Sequence, residues 1–270
     1  MSTANFRARS ATELVDGAFQ LYRSNFMMFL TLGAIFYVPV LVVQWTMIGI
    51  MPRATTMSQV GAIYERMAIV WPLLAIWAAA WYAIIMTLIA DIYLGRTPDL
   101  GSATSRGISR LVPAIVSSLI KSILVGIGIA FFLLPGIYLA LYFFAVPSAA
   151  ILEPIGLTGA LGRSGKLSNG LKGHVLKTYL LMMCLFLAAY VLVIMIAGVV
   201  AFFTQSFSTT GTPVLIQFVA ALAVIAVYPL WPITAVLLYF DARIRNEGYD
   251  IELMAQNVAG AAATAPASAY

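Results

Sequence analysis

Few residues in this chain can do chemistry, so their types and spacing are weighed first. Asp91 in LIADIYLGR, Glu153 in AAILEPIG and Asp241 in LLYFDARIR each stand at the end of a long apolar run. A carboxylate near a helix C-terminus meets the negative end of the dipole, at a cost of about 0.3–1 kcal/mol unless a cation compensates. Arg23, Arg106, Arg110 and Arg163, in the polar stretches between runs, are the nearest cations. The chemistry this implies is ion pairing, with a lipid-headgroup or ion site as the other reading. Lys121, in VSSLIKSILVG, is the one charge deep inside an apolar run. An intramembrane ionisable residue is by default a candidate lipid or ligand contact, although a lysine stem can also snorkel or bond to Ser117, Ser118 or Ser122.

Other chemistry finds little support. His174 is the single histidine and Cys184 the single cysteine, too few for a clustered metal site or an intrachain disulfide. There is no Ser-His-Asp arrangement and no phosphate loop followed by Lys and Ser or Thr. Ser117 and Lys121 at helical i, i+4 spacing are the only hint of intramembrane serine chemistry, and nothing else accompanies them. We therefore expect no enzyme, no cofactor and no metal. Ion-coupled carriers place carboxylates or broken helices near the midplane, whereas every acid here sits at a run boundary or in a loop. Pro39, Pro72, Pro147, Pro229 and Pro232 are expected to kink spans that their neighbours hold.

The elements that must position these residues follow from composition. Of 270 residues, 62% are apolar and 9% charged, against roughly 25% charged in a soluble domain. A soluble fold is excluded and the bilayer is the natural solvent. A span needs about 20 apolar residues, and runs of that kind occur near 26–51, 67–94, 112–134, 136–152, 176–203 and 214–240. The third and fourth form one stretch, for which a hairpin turning at Leu134-Pro135-Gly136-Ile137 is expected. The start of the chain lacks the apolar core of a cleaved signal peptide, so the first span is expected to direct insertion. The expected fold class is all-α, a polytopic integral membrane bundle of six transmembrane helices.

Basic residues orient it. Arg7, Arg9, Arg23, Arg96, Arg106, Arg110, Arg163, Lys166, Lys172, Lys177, Arg243 and Arg245 fall on one side, and only Arg53 and Arg66 on the other. Both termini are then cytoplasmic, and the 52–66 and 204–213 loops face out. The net charge of +5 reads as orientation, with no nucleic-acid partner implied. The small, nearly uncharged end, 257–270, is expected to be a disordered tail.

An amphipathic segment precedes each pair of spans. Ser10 and Glu13 have capping-box spacing at the head of 10–24, and 100–111 and 157–169 alternate apolar and basic residues at helical spacing. Three cytoplasmic interfacial helices, each followed by two spans, would make three parallel units related by an axis along the membrane normal.

The segment LLPGIYLALYFFAVPSAAILEPIGLTGALGRSGKLSNG, 133–170, resembles the prokaryotic membrane-domain family named after glycerophosphoryl diester phosphodiesterase. The matching residues are Pro135-Gly136-Ile137-Tyr138, Pro147, Glu153, Gly159, Ala160-Leu161, Arg163-Ser164, Leu167 and Gly170. YFDARIRNEGYDIELMAQ, 239–256, and TELVDGAFQLYRSNF resemble it too. The pattern departs at Gly165, where an aromatic is expected, which implies a more weakly anchored third interfacial helix. The resemblance implies the six-helix arrangement and a prokaryotic cytoplasmic (inner) membrane. The phosphodiesterase activity belongs to a separate soluble domain and needs histidines and carboxylates around a metal, so it is not carried over. The expected role is a non-enzymatic scaffold, assembly or accessory subunit that meets membrane lipids, other membrane proteins or a second copy of itself. The alternative is a small-molecule or lipid transporter.

Overall fold

The structure, a computed structural model, describes residues 7–50, 56–156, 158–203 and 214–255. The 204–213 loop, Leu157 and the 257–270 tail lie outside them. The described residues form eleven helices and no strand: α1 (Ala11–Ser24), α2 (Phe26–Ile50), α3 (Met57–Tyr93), α4 (Leu100–Ser109), α5 (Leu111–Phe131), α6 (Leu133–Tyr142), α7 (Val146–Leu152), α8 (Gly159–Leu167), α9 (Lys172–Phe203), α10 (Val214–Val227) and α11 (Leu230–Glu247). Six stretches are helical, long and apolar enough to cross a membrane. The chain is an all-α bundle of the multi-pass type.

Four expected boundaries change. The 52–66 segment is not wholly a loop: α3 begins at Met57, because Thr56 accepts from the Gln59 N–H and the Gln59 side chain caps Thr56 in return. The hairpin turns at Phe132 (φ −166°, ψ 149°) rather than at 134–137. Proline excludes a helical carbonyl four residues before it, so Pro135 forbids α5 from running on past Phe131 and sits in the first turn of α6, where its missing N–H breaks no helical bond. The same rule divides the fourth span into α6 and α7 ahead of Pro147 and the sixth into α10 and α11 ahead of Pro229 and Pro232. Finally, α11 continues past 240 to Glu247, so Asp241 lies inside the helix and not at its end. Pro39 and Pro72, by contrast, sit within unbroken α2 and α3.

Burial separates two rings. In the apolar windows of the second, fourth and sixth spans, 50%, 50% and 56% is buried, against 22%, 17% and 6% in the first, third and fifth. The even spans form the centre, where α3, α7 and α11 pack on one another through Ile85, Met86, Ile89, Ala149, Ile233 and Leu237. Tyr93 stacks on Phe240 between α3 and α11 at 4.8 Å. The odd spans lie outside. Between α5 and α6 the helices approach so closely that a Cβ on Gly136 would stand 2.7 Å from the Ile129 nitrogen.

The amphipathic helices are α1, α4 and α8, and each packs on the even span of the preceding unit: α4 on α3, α8 on α7, and α1 on α11. The last contact closes the ring from the end of the chain to its beginning. Ala18, Ala103 and Ala160 are all fully buried at these seats. Each helix also satisfies a polar group there. Thr87 of α3 donates to the Ala103 carbonyl at 3.2 Å. Ser164 of α8 donates to Tyr142 O and accepts from the Ala145 N–H, at 3.0 and 3.1 Å, across the α6/α7 break. Tyr22 of α1 donates to Ala226 O at 2.6 Å beside the α10/α11 break. Backbone groups freed at breaks in an apolar bundle must find such partners.

The head of α1 carries its capping box. The Glu13 N–H bonds to Ser10 Oγ, and the Glu13 carboxylate accepts from the Ser10 N–H at 2.7 Å and from Arg7. The Ser10 backbone bond, then Arg7, hold the Glu13 carboxyl down at about 2 from an ordinary 4.5. A depressed carboxylate adds stability that is fully present above its unfolded value and lost as pH falls through the folded one. Glu13→Gln should therefore increase amide exchange at the start of α1 at pH 7. That difference from the parent should shrink between pH 4.5 and 2 and be absent below. Equal exchange in both proteins at pH 7 would remove the charge from the cap.

Candidate functional site

All three span-end carboxylates lie at one end of the bundle in ion-pair clusters, one at each interfacial-helix seat. At the first, Arg106 of α4 grips Asp91 of α3 with both terminal nitrogens, and Arg96 stands 3.7 Å away. The Asp91 side chain is 5% exposed. Its hydrogen bonds raise the Arg106 guanidinium above its ordinary value. Asp99 caps α4, accepting from the Ser102 N–H at 2.7 Å and from Gly101. Those bonds, Ser102 first, hold its carboxyl low.

At the second seat Arg163 of α8 joins two carboxylates from different helices. Its Nε lies 2.8 Å from each oxygen of Glu153, and its terminal nitrogens bond to Glu247 of α11. Tyr239 donates to Glu153, and Arg243 binds Glu247 at 3.2 Å while stacking 3.7 Å over Tyr249. Glu247 and then Glu153 raise the Arg163 guanidinium against the effect of burial.

The third seat is built differently. Asp241 accepts the Arg9 backbone N–H and the Arg245 Nε, each at 2.7 Å. Arg245 also donates to the Arg9 carbonyl at 2.6 Å, closing a loop between the head of the chain and α11. His174 Nε2 stands 3.1 Å from Asp241 Oδ2, off the line of a hydrogen bond.

Two of the four expected arginines do not pair. Arg23 is exposed and has no hydrogen bond or ion pair among the described residues. It lies off the seat of α1, whose buried side is Leu14, Ala18 and Tyr22. Arg110 is half-buried and likewise unpaired among the described residues. It stands at the α4/α5 junction, and Asp91 is already satisfied by Arg106. Lys121 lies on the stripe of α5 that carries buried Ala114, Ser117 and Gly128. Among the described residues Lys121 has no hydrogen bond to Ser117, Ser118 or Ser122, and Ser117 donates to the Pro113 carbonyl. The expected weakness at Gly165 is also corrected. A Cβ there would meet the Tyr142 hydroxyl at 2.3 Å, so α6 supplies the aromatic and glycine makes room for it. Tyr142 is further held by Phe143 and by Lys172, 5.7 Å from its ring centre.

Sequence reasoning missed Arg9, His174, Tyr239, Arg243, Arg245 and Glu247 as members of these clusters. Asp241–Arg245 and Arg243–Glu247 are i, i+4 pairs and were readable as such. Tyr239 and the Arg9 backbone enter only through packing. The arrangement binds helices to helices. Among the described residues there is no group of three or more His, Cys, Asp or Glu side chains able to hold a metal. Compared with family models, curated proteins and solved structures, the chain matches none, so the likeness read from 133–170 and 239–256 rests on those residues themselves.

Proposed function

We propose that this is a non-enzymatic multi-pass protein of a prokaryotic cytoplasmic membrane, with both termini cytoplasmic, acting as a scaffold, assembly or accessory subunit. Its partners in this reading are membrane lipids and other membrane proteins. The observation that carries it is the fifth span: 6% of its apolar window is buried within the chain, while the carboxylates Asp91, Glu153 and Asp241 are engaged by donors of the chain itself. Cys184, Leu187, Ala188, Val191, Leu192 and Met195 line a shallow apolar groove of about 420 Å³ on this outward helix. Close packing by such surfaces is how membrane helices associate. Mild extraction from the native membrane, with mass spectrometry of what co-migrates, should recover a stoichiometric partner or bound lipid. Repeated recovery of a bare monomer would overturn the reading. Orientation is tested separately by single cysteines at Asn169 and Ser58 in a Cys184→Ser background, which should label from opposite sides of the membrane.

One observation favours the transporter alternative. Lys121 faces inward on α5 without a partner among the described residues, as a residue on a substrate path would. A hydrated path would let a membrane-impermeant thiol reagent reach Lys121→Cys, and a dry bundle would block it.

A further inference from the structure

His174 is the single histidine, and histidine is the one side chain whose ordinary charge change falls between roughly pH 5 and 8. It stands in the first turn of α9, ahead of the apolar run that begins at 176, with its side chain 16% exposed. Its Nε2 is buried and lies 3.1 Å from Asp241 Oδ2 without forming a hydrogen bond. That same oxygen accepts the Arg245 Nε, while Oδ1 takes the Arg9 N–H. The carboxylate is therefore already matched by one guanidinium.

A proton on the ring adds a cation that has no carboxylate of its own. It meets Arg245 across the shared oxygen, Lys177 one turn further along α9, and the positive end of the α9 dipole. Little water is present to hydrate it. The Arg9 guanidinium, which leans over Tyr93, is a further cation beside the clasp. Of the helices packed on α9, α6 and α10 carry no charged residue, and the α6 tyrosines, Tyr138 and Tyr142, face Lys172. From α1 come Glu13, committed to Arg7 and the Ser10 N–H, Tyr22, bonded to Ala226 O, and the exposed Asp16 and Arg23.

We infer that His174 is a proton-operated release for the clasp that joins the head of the chain to α11. Neutral, the ring lets Arg245 and the Arg9 N–H hold Asp241. Protonated, it repels Arg245 from the shared oxygen, and because Arg245 also holds the Arg9 carbonyl, both halves of the clasp give way together. The seat of α1, which packs on α9 and α11 and closes the ring of helices, loosens with them. The sign follows from linkage. A hydrated, unclasped ring takes its proton near about pH 6.5 and the clasped ring resists it, so clasping weakens as pH falls below that value, by up to about tenfold per pH unit for one proton. In the orientation proposed above the proton comes from the cytoplasm.

The Arg9 amide reports the clasp directly, through its bond to Asp241. In the full chain in detergent, its hydrogen-exchange protection factor, corrected for the intrinsic pH dependence of exchange, should fall by up to about tenfold between about pH 6.5 and 5.5. Protection of Ala103, at the first seat, should stay level. His174→Asn, neutral throughout, should hold its Arg9 protection constant over the same interval, and His174→Arg should show near pH 7 the low protection that the parent reaches in acid. Constant or rising Arg9 protection in the parent as pH falls, the same fall in His174→Asn, or an equal fall at Ala103 would each overturn the release. If either variant fails to fold, the parent decides alone, by Arg9 against Ala103. Detergent admits protons to both ends of the bundle, so failure here leaves the scaffold reading and its orientation standing, and a reversed orientation leaves the release standing.

Discussion

Asp241→Ala should lower the stability of the detergent-solubilised protein by about 3–5 kcal/mol, the cost of breaking a buried pair from one side. The Asp241 side chain is 2% exposed, and its removal leaves two donors without their acceptor, the Arg245 Nε and the Arg9 N–H. Arg245 is 29% exposed and recovers some hydration, which places the loss toward the lower end of that range. Asp241→Asn keeps an acceptor for the Arg9 N–H and loses the charge, so it should cost less than Asp241→Ala. The consequence is local as well as global, because Asp241 is where the last span meets the head of the chain. Trypsin should cut after Arg9 faster in Asp241→Ala than in the parent. An unchanged melting temperature together with unchanged cleavage would remove the clasp.

How much of this was legible in the sequence depends on which force placed each element. Spans and interfacial helices were readable because hydrophobic length and amphipathic period are properties of the chain itself. Helix breaks were misplaced by a few residues, since proline acts on the carbonyl four residues before it and the turn at Phe132 therefore precedes Pro135. The ring order was hidden, because α1 seats on α11 across the whole length of the chain. A signal for two seats was present: Ala103 and Ala160, each fully buried, are followed three residues later by Arg106 and Arg163. The corresponding residue after Ala18 is Leu21, which is why the third carboxylate recruits Arg245 and a backbone N–H instead of an arginine from its interfacial helix. Arg23 was singled out because it is carried by the first interfacial helix, but the buried face of α1 lies elsewhere.

Arg163→Ala is expected to cost about 3 kcal/mol, again from one-sided loss of a largely buried pair. Arg163 is 20% exposed and ties α8 to both α7 and α11 through Glu153 and Glu247. Glu247 keeps Arg243 and Glu153 keeps Tyr239, which limits the loss. Arg163→Lys should recover less than half of it, because a single ammonium lacks the planar fork that lets one guanidinium serve two carboxylates. If lysine restored the full melting temperature, charge alone would be sufficient and the bridging geometry would carry no weight. The deeper consequence concerns Ser164, the next residue, which pairs the backbone groups of Tyr142 and Ala145 at the break in the fourth span. When α8 loosens, those groups lose their partner in a setting with little water to replace it. Amide exchange at Ala145 should therefore rise more than at Ala103, where α4 remains fixed by Asp91 and Arg106. Equal acceleration at both positions would mean that the ring of seats opens as one unit instead of seat by seat.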